Sequence, residues 1–190
     1  MKKTLTIILA FALVIAMSVA GTVAYLTSQD SVTNTFTVGK VKITLDEAKV
    51  DENGAAVTPA ERVKANSYKL IPGHAYTKNP IIHVDANSEK CWLFVKVENG
   101  ISAIEDSANT IAAQLAANGW SAVNGAANVY AYKESVAGGT NVPVFGSFKI
   151  AGDADVANYE NAKVVVTAYA VQADGFDTAA AAWTASGFRA

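Results

Sequence analysis

The hydrophobic pattern changes character three times along the chain. After Met1-Lys2-Lys3, no charged residue occurs from Thr4 to Gln29, and most of that stretch is apolar. A period-two segment follows, in which Val32, Phe36 and Val38 alternate with Thr33, Thr35 and Thr37, and Asn34 falls on the apolar side. Threonine-rich alternation of this kind predicts a strand. Beyond Gly39 the apolar set changes parity to Val41, Ile43 and Leu45, opposite Lys42, Thr44 and Asp46. Such a switch at a glycine predicts a bulge or bend.

Further on, Asp51-Glu52-Asn53-Gly54 reads as a turn and the segment to Ala65 as loop. Pro72-Gly73 is a second turn. Tyr76 to Val84 reads as extended, with Asn79-Pro80 interrupting it, which favours an edge position or a strand start at Ile81. Cys91 to Val97 is apolar on both faces, the pattern of a strand buried between two layers. Ser102-Ala103-Ile104-Glu105 has capping-box spacing. Ile104, Ala108, Ile111 and Leu115 then form one helical stripe, and Asn118-Gly119 ends it. Strand signals resume at Asn128–Lys133, in the row Val142, Val144, Phe148 and Ile150, and at Lys163–Val171. Gly146 in that row marks a place where another backbone approaches. Thr178-Ala179-Ala180-Ala181-Ala182-Trp183 can start a short helix. Many short strands, turns between them and one inserted helix predict an all-β, jelly-roll-like β-sandwich, preceded by an N-terminal signal helix.

A basic start, an apolar stretch and closing small residues are the pattern of a secretory signal. Thr22 and Ala24 fit the small-residue rule for a cut after Ala24, and Ser18 and Ala20 fit it for an earlier one. The same run is long enough to span a bilayer with its basic end inside. Both readings put the remaining chain outside the cell. Small residues, where an anchor would carry basic or aromatic stops, favour cleavage. The expected segments are a signal peptide over 1–24, an N-terminal strand over 25–38 and a β-sandwich over 39–190.

Gly21-Thr22-Val23-Ala24-Tyr25-Leu26-Thr27-Ser28 and Asn34-Thr35-Phe36-Thr37-Val38-Gly39 resemble the leader and mature start of the TasA/camelysin family. Pro72-Gly73-His74-Ala75-Tyr76-Thr77-Lys78-Asn79-Pro80 resembles the family's PG…Y.KDP-like turn more loosely, with Asn79 in the aspartate position. The resemblance implies export, processing between Ala24 and Tyr25 by a SipW-type signal peptidase, and a jelly-roll domain. For the TasA branch it implies a biofilm-matrix fibre subunit, and for the camelysin branch a surface metallopeptidase.

Charge and chemistry narrow this picture. The chain has 190 residues, with 15 Lys+Arg against 17 Asp+Glu. Loss of residues 1–24 removes Lys2 and Lys3 and leaves a net charge of about −4. An acidic surface argues against nucleic acid and anionic lipid as partners of the mature chain, so contact with membrane is expected only before cleavage. Cys91 is the single cysteine, so no intrachain disulfide is possible, and its apolar setting predicts a buried thiol. No H-E-x-x-H, G-x-S-x-G or phosphate-binding glycine loop occurs. His83 and Asp85, two apart, could join Glu89 in a two- or three-ligand metal site. Catalytic zinc normally takes three protein ligands with a fixed general base, so no metal, cofactor or catalytic residue is expected. Trp92, Phe94, Tyr130 and Tyr132 could stack on glycans, but core packing explains them more simply.

The expectation is a structural subunit that polymerises with copies of itself and contacts other matrix proteins. Tyr25–Val38 is the donor-type strand, and Val32, Phe36 and Val38 are its anchors. The alternatives are the camelysin-like metallopeptidase and a monomeric extracellular binding or adhesion module, in which the same strand folds into its own sheet.

Overall fold

Alternation places the first described strand. The computed structural model describes residues 39–188. β1 (Ile43–Ala48) turns Ile43 and Leu45 toward the core, and Val41 extends that row backwards. β1 pairs with the two-residue β2 (Arg62–Val63) on one side and with β4 (Ile81–Val84) on the other. β8 (Asn141–Pro143) completes a four-stranded sheet in the order β2-β1-β4-β8. Ile43 is opposite Val84, and Leu45 and Val142 are each opposite Ile82, so one face of this sheet is a continuous apolar layer.

The second sheet has the order β10-β5-β7-β6. Its strands are β5 (Cys91–Asn99), β6 (Trp120–Ala122), β7 (Val129–Tyr132) and β10 (Val164–Gln172). β5 and β10 pair along their whole lengths, from Val164 opposite Asn99 to Gln172 opposite Cys91. A short ribbon of β3 (Ala75–Thr77) and β9 (Ser147–Lys149) brings Tyr76 onto Phe148 in a stacked pair 4.7 Å apart. All these strand pairs are antiparallel. Ile82, Val84 and Val142 from one sheet share a core with Leu93, Val95 and Val97 from the other. Among the described residues the architecture is an all-β sandwich with two α-helices.

β5 is buried on both faces, as its sequence predicts, because each face has its own cover. Cys91, Leu93, Val95 and Val97 point into the main core. On the opposite face Phe94 is fully buried against Trp183, with ring centroids 5.1 Å apart. Trp183 comes from α2 (Ala179–Ser186), the tail helix, which Thr178 caps through its hydroxyl and Gly187 ends at φ 69°. Trp92 donates from Nε1 to the Phe176 carbonyl at 3.2 Å. Tyr130 and Tyr132 pack against the main core, so the four aromatics divide between two faces and form no shared platform.

The inserted helix begins later than its capping-box spacing predicts. α1 spans Ile111–Ala117, and its N-cap is Thr110, whose hydroxyl accepts from the Ala113 N–H. Ile101 to Ile104 form a turn closed by the Ile104 N–H on the Ile101 carbonyl, and Glu105 bridges to Ile150. Ile104, Ile111 and Leu115 are buried, but Ala108 is exposed. Glu105 still acts at the helix start, because its carboxylate accepts from the Ile111 N–H at 3.0 Å. Gln114 of α1 donates to the Ser147 carbonyl and accepts from Gly146 N–H. Gly146 also receives the Lys78 N–H on its carbonyl at 3.2 Å, but a Cβ there would meet only Gln114 Oε1 at 3.8 Å, so the close backbone approach expected at that glycine is not found. Among the described residues no helix is long and apolar enough to cross a membrane.

Candidate functional site

The inward row of β1 continues from Val41, Ile43 and Leu45 to Glu47, so period two carries a carboxylate into the core. Lys78 arises in the same way, two residues after the buried Tyr76. The two meet at 2.7 Å, with side chains 5% and 11% exposed. Asn66 donates to the other Glu47 oxygen at 3.0 Å and to the Ala48 carbonyl at 2.8 Å. Burial, together with the charge of Glu47, pushes the Tyr68 hydroxyl well above its usual pKa, so it remains a neutral donor to the Thr77 carbonyl.

This ion pair belongs to a cleft of about 710 Å³ on one side of the sandwich. Leu45, Tyr68, Phe148, Val164 and Val166 give it apolar walls, Glu47, Asn66 and Lys78 form a sheltered polar patch, and Lys64, Glu160 and Lys163 add exposed charges. β1 supplies one wall and the start of β10 supplies the other, although they belong to different sheets.

The two strands sit differently in their sheets, β1 between β2 and β4 and β10 at the end. On β1, Lys64 donates from Nζ to the Leu45 carbonyl, and Arg62 donates from Nη2 to the Asp46 carbonyl at 2.9 Å. β1 lies inside its sheet, between β2 and β4, so these bonds brace the strand and do not cap a sheet edge. β10 ends its sheet with the sequence VVVTAYAVQ, which contains no charge, proline or glycine. No described residue pairs with its outer edge. Nine residues make that edge about 30 Å long.

The residues singled out in the sequence fall into two groups. Thr22, Ala24 and Tyr25 at the cleavage site, and the anchors Val32, Phe36 and Val38, lie outside the described residues. His83, Asp85 and Glu89 do not form a common site. His83 bonds Asp46 through Nε2 at 2.9 Å and Asn141 through Nδ1 at 2.7 Å, whereas Asp85 pairs with Lys42 at 3.0 Å. Glu89 lies beside Gly39, with its N–H on the Lys40 carbonyl. Among the described residues no group of three or more His, Cys, Asp or Glu is placed to hold a metal ion.

Cys91 is fully buried at the head of β5, and burial pushes its thiol up to about 11. The cleft and its ion pair were missed in the sequence. The available signal was a charged residue at the next step of an apolar row, at Glu47 and again at Lys78. Compared with protein-family models, curated proteins and solved structures, the chain matches none.

Proposed function

We propose that this chain is an exported structural subunit whose mature form, beginning at Tyr25, polymerises into a fibre at the cell surface or in the extracellular matrix. Tyr25–Val38 of one copy enters the open side of the next, and Val32, Phe36 and Val38 anchor it. The sandwich is of the jelly-roll type in this reading, and residues 1–24 are the signal peptide removed on export by a signal peptidase of the SipW type. The observation that carries the proposal is β10, an uncharged nine-residue edge strand beside a cleft with apolar walls and a polar patch. An edge of this kind exposes backbone donors and acceptors in register, and an extended segment can complete it. The segment available is period-two and threonine-rich. Transfer of a terminal strand to the next copy is a head-to-tail contact, which propagates unless it closes into a ring.

Amino-terminal sequencing of the secreted protein and sedimentation of that material test the reading together. The expected results are a start at Tyr25 and, as concentration rises, species larger than a dimer. Secreted protein that begins at Met1, or that stays monomeric at every concentration, would contradict it.

A further inference from the structure

From the polar patch in the cleft we infer that Asn34 of the incoming strand seats on Glu47, Asn66 and Lys78 of the receiving copy and fixes the register of strand entry. This inference rests on the strand-exchange reading above. Two patterns support it. Over residues 32–38 the apolar row is Val32, Asn34, Phe36 and Val38, so one amide interrupts that face, and Ser28 and Asp30 make the row polar before it. In the cleft, Glu47, Asn66 and Lys78 form a sheltered polar patch beside apolar walls, whereas Lys64, Glu160 and Lys163 of the same lining are exposed.

The chemistry of the patch suits a neutral amide. Lys78 Nζ carries three protons, and among the described residues Glu47 is its one side-chain or backbone acceptor. Each Glu47 oxygen accepts one donor, from Lys78 and from Asn66, and each can accept another. An amide offers an acceptor oxygen to the lysine and donor hydrogens to the carboxylate, and adds no charge to a balanced pair. A valine there would dehydrate both charges and return no hydrogen bond. A shift of one residue would place Thr33 or Thr35 over the patch and turn the apolar anchors away from the walls. A shift of two would place Val32 or Phe36 over it. The amide thus selects one register among those that the backbone alone would allow.

The test uses synthetic peptides 25–38 as competitors of polymer growth by the intact mature protein, so no substituted domain has to fold. The wild-type peptide is expected to cap growing ends and slow growth. The Asn34→Val peptide is expected to need roughly tenfold more for the same effect, although it is more apolar. Equal potency of the two peptides, or greater potency of the valine peptide, would overturn the seat at Asn34 and leave strand exchange standing. If neither peptide slows growth, or if the protein forms no polymer, both the seat and strand exchange fail. In mature protein carrying Glu47→Leu and Lys78→Met together, the preference for asparagine should disappear; a preference that persists in folded variant protein would also overturn the seat.

Discussion

Burying Glu47 with Lys78 costs both groups their hydration, and the pair recovers this only through close contact and the added bond from Asn66. Removing one partner strands the other. Glu47→Leu should therefore destabilise the domain by about 3 kcal/mol, whereas Glu47→Leu with Lys78→Met should recover most of that loss. Urea denaturation of the three proteins measures it, and equal losses in the single and double variants would contradict the account. Cys91 makes the second prediction at this scale. Its burial against the main core denies reagents access and disfavours the thiolate. Alkylation should be slow in the folded protein even at pH 8.5 and fast in denaturant. Rapid labelling of native protein, or a disulfide-linked dimer, would place the thiol elsewhere.

β10 is where element and function meet. Val165 on this strand is 41% exposed and lines the cleft. A lysine there would put a charge where an incoming strand has to pack, the device by which sheet edges resist pairing. Val165→Lys should change stability by less than about 0.5 kcal/mol and abolish polymerisation. A melting curve and sedimentation check the two halves separately, and normal polymers from folded variant would remove β10 from the assembly site. Strands such as β5 and β10 were legible because a long apolar or β-branched run leaves few alternatives. The start of α1 was not, because Ser102 and Glu105 have the spacing of a capping box while residues 101–104 close a separate turn. Glu105 caps the helix from outside through Ile111, a contact across six residues that no local motif encodes. The ion pair was hidden for a similar reason, since its partners are 31 residues apart, one in β1 and the other just past β3. The second cover of β5 was half visible, as an alanine-rich tail with no stated place to pack.

Among the described residues, the sandwich has a doubly covered strand β5, a β1 flanked by β2 and β4, and a long uncharged edge at β10 beside the cleft. In the proposed assembly that asymmetry would set a direction, with a strand received beside β10 and supplied by the amino terminus of the next copy. Burying three anchors at about 1.5–3 kcal/mol each is enough to decide whether subunits associate at ordinary concentrations. The most direct measurement is electron microscopy of purified mature protein, residues 25–190, beside the same protein shortened to Gly39. The account predicts filaments from the first and none from the second, with growth of the first slowed by peptide 25–38. Intact protein that stays monomeric at every concentration and pH, or filaments that form equally well without residues 25–38, would contradict it.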